Sequence, residues 1–441
     1  MNATVVGSQL GDEGKGGVVD LFSEDADVVV RYQGGNNAGH TVVRRGEEYK
    51  LRLIPSGVIR GKTGVLGNGC VLDLETLFDE IETLRARGLD PDVRVSARAH
   101  IVLPYHRVLD RAEEASKTDG GLEVGTTGNG IGPAYEDKAG RRGIRVGELL
   151  DDAVLRDRLE YSVPKKRRLA RDVFGIDTGV EFDVDHLFET FRGFGDRLES
   201  EEMVVDASSL LAEMDRDGAN VLFESAQGTH IDVDHGNYPF VTSSNPTAGG
   251  AITGTGVDPS AVADGRIIGV VKAYLSRVGS GPMPTELSED AASAVRERVG
   301  GFGTVTGRPR RIGWLDVPML RHAARVNGFT GIVLNHVDAL GGFEELKVCE
   351  AYELDGETLT GIPSTTAEWA RCTPEYRTFE TWADRDWSEI RNDGYDALPD
   401  AARTYVEYVS AELGTPVYAV GIGPGRDETI VRQHPFGSAE D

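Results

Sequence analysis

The sequence has few cysteines and no long apolar run. Its three cysteines, Cys70, Cys349 and Cys372, are far apart in a chain of 441 residues. They fit neither a disulfide framework nor a zinc site, and they favour a reducing compartment such as the cytoplasm. No apolar run is long enough to span a bilayer, and the first residues lack the basic stretch of an export signal. We therefore expect a cytoplasmic protein without a membrane partner.

Basic side chains are also scarce. The 47 Lys and Arg residues face 73 Asp and Glu residues, which gives a formal net charge of −26 at pH 7. Such a field repels nucleic acid and anionic membranes, so neither is an expected partner. Dense carboxylates are typical of a salt-rich cytoplasm, where salt screens their repulsion. We therefore favour a halophilic archaeal source, although mesophilic enzymes can also be acidic.

Short β-branched runs alternate with helical stretches along the chain. This alternation predicts an α/β fold with a mostly parallel central sheet. The clearest predicted strands are 4–7, 27–31, 221–224, 267–271, 331–334 and 417–420, and the clearest helices are 74–87 and 405–413. No repeat or linker divides the chain, so residues 1–441 are expected to form a single unit.

Residues 148–218 differ from the rest because they are richly charged and helical in pattern. We expect them to form a helical insertion within the single unit. The basic run 165–168 (KKRR) lies inside this segment, and such a run is usually a solvated helix face.

A glycine-rich loop, residues 7–16 (GSQLGDEGKG), follows the first predicted strand. A strand, a glycine-rich turn, a lysine and then a helix together suit a phosphate, because backbone N–H groups and the helix N-terminus face the anion. The loop is not a standard P-loop. Six residues separate Gly7 from Gly14, and Gly16 stands where Ser or Thr would meet magnesium. A metal ligand must then come from elsewhere, and Asp12 is the obvious carboxylate.

A second polar loop, residues 31–41 (RYQGGNNAGHT), follows the predicted strand 27–31. Its asparagines offer neutral donors and acceptors. His40 can protonate or hydrogen-bond a developing oxyanion. A lone histidine is more often structural, and only its neighbours make this one a candidate.

These two loops, in this order and at this spacing, resemble those of the adenylosuccinate synthetase family, which joins aspartate to IMP with GTP. Further similar stretches are 125–141, 223–229, 238–245, 304–316 and 423–424, so the resemblance runs from about residue 4 to residue 430. It implies a P-loop-NTPase-like sheet with helical excursions, one Mg²⁺ per subunit, a homodimer, and the first committed step of AMP synthesis. A GTP-binding regulatory relative without ligase activity is the alternative, as is a plain GTPase. The regulatory alternative predicts the loss of Asp12, His40 or the arginine loop, and all are present.

The resemblance also implies the catalytic roles. Asp12 is the base that removes the N1 proton of IMP, and it binds the metal together with the carbonyl of Gly39. His40 is the acid that stabilises charge on the transferring group, and Gln227 steadies the nucleobase. The expected intermediate is 6-phosphoryl-IMP, from which the amine of aspartate displaces phosphate.

Three binding sets follow from the same resemblance. The GTP set comprises Gly11, Asp12, Glu13, Gly14, Lys15, Gly16, Gly17, Gly39, His40, Thr41, Arg310, His336, Val337, Asp338, Gly421, Ile422 and Gly423. The IMP set comprises Asp12, Glu13, Gly14, Lys15, Asn37, Ala38, Gly39, His40, Thr127, Arg141, Gln227, Thr242 and Arg308, with Arg141 shared across the dimer interface. The aspartate set comprises Thr304, Val305, Thr306, Gly307, Arg308, Pro309 and Arg310.

Several positions depart from the family's usual residues. Val305 and Pro309 replace threonine and arginine in the aspartate loop, and His336 and Gly421 replace lysine and serine near the guanine. Asp338 is present, and its carboxylate can accept from both N1–H and N2–H₂ of guanine, a pair of donors that adenine lacks.

The segment 230–235 (HIDVDH) has spacing that suggests a metal site. On an extended segment, however, Asp232 and Asp234 would share one face and His235 would lie on the other. We expect a polar loop that supports Gln227. The remaining histidines, His100, His106, His186, His322 and His434, are expected to be structural or on the surface.

Overall fold

A computed structural model describes residues 1–118, 125–299, 301, 309–423 and 425–437. Residues 304–308 of the predicted aspartate loop lie outside these ranges, as does Pro424.

Over the described residues the chain forms twenty strands and fourteen α-helices. The strands are β1 Asn2–Gly7, β2 Val28–Arg31, β3 His40–Arg44, β4 Glu47–Leu51, β5 Thr63–Leu66, β6 Val71–Leu72, β7 Val93–Ser96, β8 His100–Ile101, β9 Val204–Val205, β10 Val221–Glu224, β11 Arg266–Lys272, β12 Leu275–Arg277, β13 Arg311–Gly313, β14 Leu315–Asp316, β15 Gly331–Asn335, β16 Leu346–Leu354, β17 Glu357–Leu359, β18 Thr373–Phe379, β19 Val417–Gly421 and β20 Thr429–Val431. The helices are α1 Lys15–Phe22, α2 Leu74–Ala86, α3 Pro104–Thr118, α4 Ile131–Ala139, α5 Asp152–Arg168, α6 Val184–Ser200, α7 Ala207–Arg216, α8 Gly249–Thr255, α9 Pro259–Ala263, α10 Glu289–Val299, α11 Val317–Asn327, α12 Thr366–Trp369, α13 Ser388–Asp393 and α14 Asp400–Leu413.

Ten strands form a central sheet in the order β20-β19-β15-β11-β1-β10-β2-β5-β7-β9. Every neighbouring pair is parallel except β19 and β20. The predicted α/β class is therefore confirmed, and all six predicted strands and both predicted helices are present.

Helices cover both faces of this sheet. Val5 packs on the same side as Val18 of α1, whereas Val6 packs on the other side with Leu211 of α7. Because alternate residues point to opposite faces, a strand covered on both sides must be apolar throughout. This is why the strands appear in the sequence as unbroken apolar runs.

Parallel strands bring their following loops to one edge of the sheet. The two polar loops leave β1 and β2 there, and the segment with Gln227 follows β10. The segments with His336 and Gly423 follow β15 and β19 at the same edge. The fold thus gathers residues from five separate parts of the sequence.

Helices α5, α6 and α7 occupy most of the range 148–218. Leu155, Leu159 and Phe191 pack into the same apolar core as strands β5 and β7. The strand β9, which also lies in this range, pairs with β7 at the edge of the central sheet. The expectation that residues 165–168 form a solvated face is wrong at Lys166, which is buried. Across the described ranges, no helix has the length and apolar character that a membrane crossing requires.

A smaller sheet of β14, β16, β17 and β18 lies apart from the central one. Its strand β14 ends at Asp316, whose carboxylate accepts from the N–H of Met319 at 3.1 Å and so caps α11. The hydroxyl of Tyr352 donates to the same carboxylate at 2.5 Å. Burial raises the pKa of Asp316 to about 7, against these two hydrogen bonds, which lower it.

The raised pKa of Asp316 predicts a pH-dependent stability. An unfolded aspartate has a pKa of about 3.9, so folding takes up a proton between about pH 4 and pH 7. This contribution to stability is complete below about pH 4 and is lost as the pH rises to about 7. Asp316→Asn keeps a capping oxygen and removes the titration. We expect the free energy of unfolding of the variant, relative to the parent, to rise by up to about 4 kcal/mol from pH 4 to pH 8.

Urea unfolding at constant high salt measures this difference. Asp258→Asn is the matched control, because Asp258 caps α9 at the surface. Its pKa is lowered by hydrogen bonds from Ser260, so its contribution is present above about pH 4 and is lost on acidification. Parallel pH curves for Asp316→Asn and the parent would contradict the role given to Asp316.

Candidate active site

A cleft of about 660 Å³ lies at the carboxyl edge of the central sheet. It brings together seventeen of the predicted site residues. These are Gly11, Asp12, Gly14, Lys15, Gly16, Gly17, Asn37, Ala38, Gly39, His40, Thr41, Thr127, Gln227, Thr242, Arg310, His336 and Gly423.

The first loop is held in shape by a buried carboxylate. Glu13 accepts from the N–H groups of Gln9 and Gly11 at 3.0 and 2.9 Å, and from the ammonium of Lys15 at 2.6 Å. The next residue, Gly14, has φ of 86° and is the N-cap of α1, whose first turn contains no acidic residue. The helix N-terminus is therefore left to face an anion. Glu13 itself is fully buried and does not line the cleft. Its predicted contact with the nucleotides is therefore replaced by a role in holding the loop.

The carboxylate of Asp12 meets an arginine from a distant part of the chain. Nε of Arg310 donates to Oδ2 of Asp12 at 2.9 Å, and the Asp12 side chain is 38% exposed. The backbone N–H of Arg310 donates to the carbonyl of Gly301 at 2.9 Å. The pair therefore connects the glycine-rich loop to the described end of the predicted aspartate loop.

The second loop presents His40 against a buried acid. Its Nδ1 hydrogen-bonds to Oε1 of Glu224, the last residue of β10, and Glu224 is fully buried. Burial opposes ionisation of Glu224, but His40 and the hydrogen bond from Ser56 hold its pKa below the ordinary value. An ionised carboxylate on Nδ1 orients the ring, and Nε2 is the second ring nitrogen available for chemistry.

Two buried oxygens in the cleft have no hydrogen-bond donor within the described part of the chain. They are Oε1 of Gln227 and Oγ1 of Thr242. An unsatisfied buried polar atom costs about 1–3 kcal/mol, so such atoms mark places where a ligand's polar groups fit. The amide nitrogen of Gln227 donates to Asn37 at 3.3 Å, which links the segment after β10 to the second loop.

Several predicted site residues have a left-handed backbone conformation. Asp12, Arg141, Gln227 and His336 have φ of 58°, 59°, 63° and 63°. Non-glycine residues rarely adopt this conformation, and it is concentrated at functional positions.

The segment after β15 contains Asp338, whose carboxylate has one buried oxygen without a hydrogen bond from any residue that the structure describes. Oδ1 of Asp338 is buried and has no partner among the described residues, and burial raises the pKa of Asp338 to about 6. Nearby, the side-chain amide of Asn335 donates to the carbonyl of Glu13 at 2.8 Å. Burial and the charges of Lys272 and Arg310 lower the pKa of His336 to about 3, so its imidazole is neutral at pH 7.

The departure at Gly421 has a steric reason. A Cβ added there would lie 2.5 Å from Oδ1 of Asn335, the residue that bonds to the glycine-rich loop. A serine at this position would therefore require Asn335 to move.

Some predicted residues lie outside the cleft lining. Val337 and Asp338 follow the lining residue His336, and Gly421 and Ile422 precede the lining residue Gly423, but none of the four lines the cleft. Pro309 is exposed, at the described end of the predicted aspartate loop. Arg141 is exposed in the turn after α4 and does not line this cleft.

Three residues in or under the site escaped prediction from the sequence. Glu224 could not be predicted as a site residue, because only its contact with His40 shows its role. Lys272 is 2% exposed at the end of β11, and the side chain of Gln9 bonds to both its backbone N–H and its carbonyl. Arg277 lines the cleft from the end of β12. Lys272 and Arg277 could have been predicted from the sequence, because each is a charged residue at the end of an apolar run.

The segment 230–235 forms a loop, as predicted, and no part of it is a strand. Thr229–Ile231 is a 3₁₀ turn, and the buried carboxylate of Asp232 accepts from the N–H groups of Asp234 and His235 at 2.9 and 3.2 Å. It also accepts from the hydroxyl of Thr247 at 3.1 Å. Asp232 therefore holds the loop together. Within the described ranges, no group of three or more His, Cys, Asp or Glu side chains could hold a metal ion.

A parallel sheet whose glycine-rich loop opens a helix at its carboxyl edge defines a phosphate-binding protein of the α/β class. The family model for adenylosuccinate synthetase matches residues 4–430. The chain belongs to the adenylosuccinate synthetase family, the ligases that join IMP and aspartate at the expense of GTP.

Named relatives agree with this assignment. Adenylosuccinate synthetases of Haloarcula marismortui and Halobacterium salinarum are each 60% identical to the chain, over 99% of it and 100% of their own length. The structure of the fully ligated adenylosuccinate synthetase of Plasmodium falciparum superposes with a TM-score of 0.90 at 35% identity, covering 98% of this chain and 99% of that one. The first two relatives come from halophilic archaea, in agreement with the acidic composition.

Proposed function

We propose that the chain joins L-aspartate to IMP through 6-phosphoryl-IMP, with Asp12 as base and His40 as acid. The observation that carries the proposal is that Asp12 and His40, from loops after different strands, line one cleft together with Lys15. Phosphoryl transfer requires mainly positioning and charge neutralisation. A lysine, a free helix N-terminus and an acid–base pair in one cleft supply both.

In the proposed first step, the Asp12 carboxylate takes the N1 proton of IMP. The C6 oxygen then attacks the γ-phosphorus of GTP, and GDP leaves. His40, oriented by Glu224, donates a hydrogen bond to the transferring group, where negative charge develops. In the second step, the amine of aspartate attacks C6 and phosphate leaves. Gln227 and Thr242, with their unmatched oxygens, are suited to hold the nucleobase and ribose.

The cleft suits one Mg²⁺, with Asp12 and the carbonyl of Gly39 as its protein ligands. Mg²⁺ prefers oxygen ligands and usually binds one or two carboxylates plus substrate phosphates and water. A single carboxylate beside a phosphate loop fits that preference. When bound, the ion would neutralise charge on the phosphates. Asp12 must give up its hydrogen bond from Arg310 before it can act as the base or bind the metal ion.

Guanine selection is proposed for Asp338, whose buried Oδ1 has no donor among the described residues. We further propose a homodimer in which the exposed Arg141 binds the IMP phosphate of the other subunit. The aspartate substrate is assigned to residues 304–310, where arginines suit its two carboxylates. The three cysteines are free and buried, which favours a reducing cytoplasm.

An assay that omits each substrate in turn tests the reaction. We expect phosphate release and adenylosuccinate formation to require IMP, aspartate and GTP together, and to be greater at high salt than at low salt. Phosphate release that needs neither IMP nor aspartate would identify a plain GTPase. GTP binding without any turnover would identify the regulatory alternative. Greater activity at low salt would contradict the salt-adapted interpretation.

A further inference from the structure

The basic run 165–168 contains one residue that is not on the surface. Lys166 of α5 is 5% exposed, and its ammonium lies 2.7 Å from Oδ1 of Asp137 in α4. The adjacent Lys165 is exposed, with its ammonium over the ring of Tyr161 at 3.4 Å. Two neighbouring lysines of one helix therefore have different environments.

Asp137 is the centre of a group that we call the Asp137 cluster: Asp137, His106, Arg142 and Lys166. Asp137 is fully buried. Besides Lys166, its carboxylate meets Nε2 of His106 in α3 at 3.1 Å and Nε of Arg142 at 3.1 Å. Three helices and the turn after α4 thus meet at one carboxylate.

Asp137 in this cluster is ionised, and the donor and acceptor in each bond of His106 can be assigned. Burial alone would raise the pKa of Asp137, but His106 and Lys166 hold it at about 2. Nδ1 of His106 accepts from the N–H of Leu103 at 3.0 Å, so the ring proton is on Nε2 and is donated to Asp137. Because a buried carboxylate that loses a partner is strongly destabilised, Asp137 keeps Lys166, His106 and Arg142 in place around it.

The same residues fix the turn that carries Arg141. The backbone carbonyl of Asp137 accepts from the N–H groups of Arg142 and Gly143 at 2.8 and 3.0 Å. The hydroxyl of Ser162 in α5 donates to the carbonyl of Arg142 at 3.0 Å. Between these anchors, Arg141 has a left-handed backbone and an exposed guanidinium that has no partner among the described residues.

We propose that Lys166 is a positioning residue for the phosphate of IMP, acting through Asp137 and Arg142 to hold Arg141 in its presented conformation. This inference rests on the proposed role of Arg141. It gives a function to a lysine on a helix that contributes nothing to the cleft, and it connects the segment 148–218 to substrate binding.

The test is a double-mutant cycle on IMP kinetics in the full-length enzyme at high salt. Arg141→Ala removes a charge-assisted contact to phosphate, for which we expect the KM for IMP to rise about 10- to 100-fold. Lys166→Met should raise that KM about fivefold to tenfold with kcat nearly unchanged, because the phosphate is remote from C6. In the Arg141→Ala background, Lys166→Met should add almost nothing. Lys165→Met, one residue away, should leave KM unchanged, and Lys166→Arg should restore most of the loss.

Thermal unfolding of each variant separates positioning from folding. A lowered Tm for Lys166→Met with a parental KM for IMP would overturn the positioning role. An equal rise in KM on Lys166→Met, with and without Arg141, would overturn it as well. An unchanged KM for Arg141→Ala would contradict the proposed role of Arg141 itself. A raised KM for Arg141→Ala together with an unchanged KM for Lys166→Met would contradict only the role of Lys166.

Discussion

Asp12→Asn should abolish ligation while nucleotide binding survives. The carboxamide has the size of the carboxylate and still accepts a hydrogen bond from Arg310, but it cannot take the N1 proton of IMP. General-base catalysis contributes about 100- to 10,000-fold, so we expect kcat to fall by about 1,000-fold or more. Single-turnover assays with GTP and IMP should show no 6-phosphoryl transfer.

Binding must be measured separately from turnover. Calorimetric titration with IMP, and with GTP in the presence of Mg²⁺, should give Kd values within about tenfold of the parent, because Asp12 is one contact among many in the cleft. The same chemical change at the exposed Asp258 is the control and should leave kcat unaltered. A kcat above about one tenth of the parental value for Asp12→Asn would remove Asp12 from the role of base.

Asp338→Asn should change the nucleotide that the enzyme uses. An ionised Asp338 accepts from N1–H and N2–H₂ of guanine, whereas the amide of asparagine would oppose N2–H₂ with its own N–H donors. Xanthine carries a carbonyl in place of that amino group, so the N–H of the asparagine amide can donate to it. Because unpaired polar groups in a site discriminate strongly, the ratio of kcat/KM for xanthosine triphosphate to that for GTP should rise by about 1,000-fold or more.

Two further readouts distinguish this mechanism from general damage. The KM for IMP should stay within about threefold of the parent, since Asp338 is expected to touch only GTP. In the parent, the KM for GTP should rise as the pH falls through about 6, where Asp338 takes up a proton, and the variant should lack this rise. Equal use of both nucleotides by the parent and the variant would show that guanine is read elsewhere.

The sequence predicted the sheet well for a physical reason. Strands that helices cover on both faces must be continuously apolar, so β1, β2 and β10 could be identified without knowledge of their partners. The loops after them were identifiable because glycines and a lysine between a buried strand and a helix suit an anion.

Other features depend on contacts between distant residues. His40 and Glu224 are separated by 184 positions, and Asp12 and Arg310 by 298. No local pattern shows that two such side chains meet. Lys166 was misassigned for the same reason, because a run of charges does not show which lysine faces a buried carboxylate. The shape of the loop at 230–235 could not be specified either, because Asp232 holds it through Thr247, fifteen positions away.

The left-handed residues have a consequence for how this protein can change. Asp12, Arg141, Gln227 and His336 each have a conformation that costs a non-glycine residue about 1 kcal/mol in the folded state, a cost that glycine does not carry. Replacement by glycine would relieve this backbone strain but would also loosen the unfolded chain and remove side chains that we propose bind substrate. A redesign for thermal stability should therefore leave these four positions unchanged and seek its gains elsewhere in the fold.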